Sequence, residues 1–124
     1  MKKTTVRIGE AIYKILEPFD KVYAIIADEG TTFPFITYKR TSGYSQSDKD
    51  GKYSVLAYID VTVAAQNYED SVMMADHVIK TMESARGKIA GFDIWEIIMV
   101  ESSESYREKA FIQELRFSVE FSTK

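Results

Sequence analysis

Few residues in this chain could carry chemistry. His77 is the single histidine and there is no cysteine, so a metal site would need carboxylates gathered around one imidazole. By helical spacing His77 lies opposite the apolar stripe of its segment, which predicts a solvated side chain. Residues 46–51, QSDKDG, approach a calcium loop, with Asp48, Asp50 and Gly51 at its third, fifth and sixth positions. Gln46 stands first, however, and Ala57 occupies the twelfth place, where a bidentate glutamate is required, so the stretch reads as a solvated turn. The run GYSQS (43–47) lacks the second glycine of a serine-nucleophile elbow. None of the six glycines has the spacing of a phosphate-cradling loop. Glu101, Glu104 and Glu108 gather near the last turn, but acid–base work needs one of them desolvated, and serines flank them instead. No catalytic, cofactor-binding or metal-ligating set emerges.

The bulk numbers agree. A chain of 124 residues, 45% hydrophobic and 28% charged, is expected to form one domain with a core of its own. A net charge of -3 and a pI near 5.2 argue against sequence-specific nucleic-acid binding, whose surface is normally basic. Lys2, Lys3, Arg7, Lys39 and Arg40 are too scattered to form a phosphate-binding face. No apolar run approaches the roughly 20 residues of a membrane helix, and residues 1–10 have the charge of a signal peptide with no apolar segment behind it. Eight tyrosines, seven phenylalanines and one tryptophan are a surplus suited to contact surfaces.

The elements that would position these residues follow from periodicity. Thr5 is placed to cap a helix whose Ile8, Ala11, Ile12, Ile15 and Leu16 share one face, and Pro18 stops it. Residues 21–27 and 33–40 read as strands. Pro34 belongs at a strand's first residues or on an edge, because it cannot donate to a ladder. Residues 41–51 read as a polar loop, and residues 52–65 as a long strand with Val55, Ala57, Ile59, Val61 and Val63 on one side. Asn67 is placed to cap a helix over 68–86, with Gly87 at its carboxyl end. Met74 lies at the edge of that helix's apolar stripe, while Met73 projects away from it. Residues 92–102 form a strand and 105–109 a turn. Strict alternation from Phe111 to Phe121 marks a strand with one buried face. The order α-β-β-β-α-β-β predicts a two-layer α+β domain, a mainly antiparallel sheet with both helices on one face.

That order, with FPFITYKR after a short VYA strand and the long VLAYIDVTVAAQNYEDSVMMADHV strand–helix unit, resembles the phage tail completion proteins, the tail-terminator and head–tail joining family. The likeness covers nearly the whole chain. One departure is the wealth of large apolar residues after the helix: Trp95, Ile97, Ile98 and Met99. The resemblance implies a homo-oligomeric ring, usually a hexamer, at the tail–head junction of a virion assembled in the bacterial cytoplasm. Its partners would be copies of itself, the tail tube and the neck, with DNA passing through and neither catalysis nor cofactor.

On this reading the Pro34 strand and the polar loop after it form a projecting hairpin that meets a neighbour. Phe33, Pro34, Phe35, Tyr38 and Tyr44 would lie in that interface, with Gln46, Asp48, Asp50 and Tyr53 at the loop and Met73 on the helix. An acidic chain suits a channel through which DNA must slide without sticking. The alternative is a small-molecule-binding or catalytic module of ferredoxin-like type, its ligand held between sheet and helices near Tyr58, Trp95 and Tyr106.

Overall fold

Two 13-residue strands with alternating side chains set the architecture: β3 (Tyr53–Ala65) and β6 (Ala110–Ser122). Paired antiparallel, they bring Val61 opposite Leu115, Ile59 opposite Phe117 and Ala57 opposite Val119. All six are buried, so one face of this pair must be covered. The computed structural model describes residues 5–47 and 53–122. Within them a single 3-10 turn (η1, Thr5–Arg7) precedes α1 (Gly9–Leu16), β1 (Val22–Ala24) and β2 (Phe35–Ser47). After β3 come α2 (Tyr68–Ser84), β4 (Gly87–Ile89), β5 (Phe92–Arg107) and β6. The sheet has six strands in the order β1-β2-β3-β6-β5-β4.

Both helices pack on the face of the sheet that carries the apolar side of β3 and β6, α2 against β3, β5 and β6, and α1 against β1, β2 and β4. Helix α1 contributes Ile12 and Leu16, and α2 contributes Val78 and Met82, to a core that includes Phe117 and Phe121. Phe92 meets Phe121 edge to face, with centroids 5.4 Å apart. The start of α2 is fixed as expected: the Asn67 side chain accepts from the Asp70 backbone N–H at 2.9 Å. Met74 packs against the core, and the predicted apolar face of β3 is buried from Val55 to Val63. The α+β class, with helices on one side of a mostly antiparallel sheet, holds.

Several boundaries differ from the sequence expectation. Thr41 to Ser47 are not a loop but the second half of β2, laddered against Tyr58 to Tyr53. Their polarity misleads because backbone pairing, not side-chain type, holds them there. Residues 105–107 likewise continue β5, and the turn is only Glu108–Lys109, both at positive φ. Gly87 does not cap α2; Ala85 closes it, and Gly87 opens β4, which returns through Ala90–Gly91 to β5. Thr5 gives α1 no side-chain cap, since Ile8 holds the cap position. Finally, β1 pairs with β2 in parallel rather than antiparallel.

Gly43 is required by a close approach. A Cβ there would stand 2.5 Å from Thr5 Cγ2, so the glycine lets η1 settle over β2. We expect Gly43→Val to destabilise the fold by about 1–3 kcal/mol through overpacking. Thr5→Ala, which removes the opposing methyl, should recover part of that loss in a double-mutant cycle by denaturant unfolding. Additive effects would show that the two residues do not meet. Asn67→Ala should cost about 1 kcal/mol in the same assay; an unchanged unfolding midpoint would remove the cap from the account.

Candidate interaction surface

With one sheet face under the helices, the other is covered only at one end, where Phe33 and Phe35 pack over Ala64, Ala110 and Ile112, and the side chains of the rest are fixed by register. Across its middle runs a row of four charged residues on neighbouring strands: Lys39 (β2) opposite Asp60 (β3), Asp60 opposite Arg116 (β6), Arg116 opposite Glu101 (β5). The signs alternate. Arg116 grips Asp60 with two bonds, Nε to Oδ1 at 2.8 Å and Nη2 to Oδ2 at 3.2 Å. Its Nη1 lies 3.6 Å from Glu101. The hydrogen bond to Asp60, and then the charge of that carboxylate, push the Arg116 guanidinium above its ordinary range.

Beside this row an open groove of about 350 Å³ is lined by Thr41, Ser42, Tyr58, Val100, Glu101 and Arg116. Irregularities on both flanking strands feed it: the β2 ladder shifts register around Thr41 and the β5 ladder around Val100. Extra residues of this kind bend a strand and increase its twist. Ile98 and Val100 are exposed by 43% and 51%. On the far side of the sheet, Ile25 and Ile26 follow β1 and are exposed by 73% and 76%. The two isoleucines and the β5 pair therefore sit at opposite edges of one sheet.

The anticipated contact residues lie along β2 and its entry, at the start of β3 and on α2. Phe33 and Phe35 stack on one another, centroids 5.5 Å apart, and pack on a small cluster of Ala64, Ala110 and Ile112. Pro34 is exposed directly before β2, as a strand-entry proline should be. Tyr38 packs against the core, and burial, then Tyr13, pushes its phenol pKa up. Tyr44, Gln46 and Tyr53 lie on the β2–β3 ladder opposite Leu56, Ser54 and Ser47. Asp48 and Asp50 fall outside the described residues. Met73 stands 52% exposed on α2.

Among the described residues no reaction centre assembles. His77 is exposed and lines an open hollow of about 360 Å³ with Pro18, Phe19, Lys80 and Thr81. Among the described residues no group of three histidine, cysteine or acidic side chains could hold a metal ion. Glu101 and Glu104 part company, the first toward Arg116, the second toward Tyr68 and Gln113. Tyr58, Trp95 and Tyr106 do not converge: Tyr58 lines the uncovered face, whereas Tyr106 leans on Phe111, which meets Tyr68 of α2. Sequence reading missed the charged row and both apolar edges. Asp60 and Arg116, each an outward position in an alternating strand, were the available signal, but only the ladder register reveals that they meet.

No protein-family model and no curated protein matches the sequence. Among solved structures, a chain of the virion of a native gene transfer agent (GTA) particle has the same fold, with a TM-score of 0.77 over 95% of this chain and 98% of that one, at 13% sequence identity.

Tyr68 offers a check on the geometry at the amino end of α2. Its hydroxyl donates to Glu104 at 3.0 Å, and that bond, ahead of the carboxylate's charge, holds its pKa above the ordinary phenol value. A raised folded pKa means that the contribution is whole below the unfolded tyrosine range and fades as pH climbs through the folded value. We expect Glu104→Gln to bring one phenol back toward the ordinary range in an alkaline absorbance titration, with Tyr68→Phe deleting that same step. Identical curves for wild type and Glu104→Gln would show that the bond does not form.

Proposed function

We propose that this chain is a structural protein of a phage-like virion, a ring-forming tail terminator that joins the tail tube to the head–neck. The observation that carries the reading is the shared fold with a virion chain over almost the full length of both partners. The order of elements in the sequence, which resembles the tail completion proteins, supports the finer assignment. So does the sheet itself, which has exposed apolar side chains at both of its edges. Head-to-tail contacts between two different patches generate closed rings, and a hexamer is the expected form.

In this role the protein performs no bond-making chemistry. It is a collar whose faces meet the tube on one side and the neck on the other, while DNA passes through the opening. A net charge of -3 favours passage over adhesion. The uncovered face and the residues of the β2–β3 hairpin are the surfaces available for those partners.

The test is assembly. Light scattering after size exclusion should give a mass several times 14.2 kDa, and negative-stain images should show rings, alone or seated on the ends of isolated tail tubes. Particles produced without this chain should contain filled heads and tails that remain unjoined. Normal joining in its absence, or a chain that stays monomeric at every concentration and ignores tail ends, would overturn the reading.

A further inference from the structure

The charged row on the uncovered face ends in opposite signs at its two edges. Its inner members satisfy each other, Arg116 holding Asp60 through two bonds. The outer members do not. Lys39 is exposed and forms no ion pair among the described residues, and the Glu101 side chain is 69% exposed with one contact, 3.6 Å from Arg116. A second sheet laid alongside, β2 edge to β5 edge, would continue the alternation without a break. Glu101 of one copy would then face Lys39 of the next.

Apolar groups flank both ends of the row at the same height. Val100 precedes Glu101, and Ile98 stands one outward row along on the same strand. At the other edge, Ile25 N–H donates to the carbonyl of Tyr38, the residue before Lys39, at 2.8 Å. Ile26 N–H then reaches back to the Ala24 carbonyl at 2.7 Å. With Ile25 at φ 67, this is a γ-turn of the rare positive-φ kind, and its central residue is β-branched. The turn ends β1 and leaves the β2 edge uncovered by it from Lys39 onward. The two backbone hydrogen bonds hold the turn, while both isoleucine side chains stay largely exposed among the described residues. Backbone outliers of this kind cluster at functional sites, so the exposed pair is a candidate contact.

The ladder itself is blunted at both edges. Register shifts interrupt β2 and β5, and Glu83 of α2 already accepts from the Met99 backbone N–H at 2.9 Å. Side chains, not added backbone bonds, must therefore carry the contact.

We propose that a second copy of this chain docks there: Lys39, Ile25 and Ile26 at one edge meet Glu101, Ile98 and Val100 at the opposite edge of the next copy, head to tail. The proposal rests on the ring reading above and assigns the surface that closes the ring. The partner is another copy because the two patches complement each other in sign and in apolar character, and lie at opposite edges of one sheet.

Lys39→Glu and Glu101→Lys, each purified alone, should fold as the wild type by circular dichroism, with an unfolding midpoint lowered slightly because each reversal sets a like charge beside Asp60 or Arg116 within the chain. Each should need a roughly hundredfold higher concentration to assemble, because like charges then face each other at every contact. Mixed in equal amounts, the two variants should assemble again, since every contact between unlike copies pairs opposite signs. Ile25→Gly should keep or raise the unfolding midpoint while weakening assembly by about tenfold, separating the contact from the fold. If folded single variants assemble like the wild type, or their mixture fails to recover, the edge contact is wrong and the ring reading stands. If the wild type itself never assembles, the ring reading falls and the contact with it.

Discussion

The register between β3 and β6 is the constraint on which the rest of the molecule depends. It sets Val61 against Leu115 and Ile59 against Phe117 on the covered face. Between them, on the other face, it sets Asp60 against Arg116. A slip of one residue would turn one strand over relative to the other, sending either the carboxylate or the guanidinium under the helices and that strand's aliphatic side chains into water. The pair itself adds little stability, since partly exposed ion pairs are screened and side-chain entropy opposes them. Its effect is on choice: only one register satisfies both faces at once. The surface row of charges is thus the visible side of the decision that builds the core.

From that centre the sheet becomes less regular toward its edges. β1 and β4 are three residues each, and beyond them β2 and β5 run on without a neighbouring strand among the described residues. Long bare edges invite indiscriminate pairing, and proteins suppress this with charges, bulges and covering side chains. All three appear here: Lys39 and Arg40, the shifts around Thr41 and Val100, and Glu83 over Met99. The same devices that prevent random strand addition leave side-chain contact as the route for a specific neighbour. An edge designed only to be avoided would have no use for two solvent-facing isoleucines after β1.

Legibility in the sequence followed the physics of each signal. Period-two alternation in residues 55–63 and 115–121 reported the buried faces correctly, whereas at 111–113 the order reverses: Ile112 is buried under Phe33 and Phe35, and Phe111 and Gln113 are half-buried. The Asn67 cap and the stripe through Ala75, Val78 and Met82 were equally plain. The half of β2 from Thr41 to Ser47 was not, because a hydrogen-bonded ladder tolerates polar residues that mimic a loop. The hairpin of β4 was hidden by its turn: Ala90–Gly91 adopts positive φ at both positions, where Asn-Gly is the familiar signal. Nothing local marks Lys39, Asp60, Arg116 and Glu101 as one row, since they are far apart in the chain and joined only by register. Phe33 and Phe35, placed in the interface by the sequence reading, cover Ala64, Ala110 and Ile112 and remain half-buried.

A contact made by a handful of side chains at a sheet edge would be weak between two free molecules. In the proposed ring, closure would change this. The last contact forms between ends already held together, at an effective concentration set by geometry rather than by dilution. Modest edges can then build a durable collar, provided that each excludes the wrong neighbour. Alternating charge supplies that exclusion, because any register that sets Lys39 beside a like charge is penalised by repulsion as well as by the lost attraction. If the proposed edge contact forms, the positive φ at Ile25 would hold that contact surface in place before the neighbour arrives.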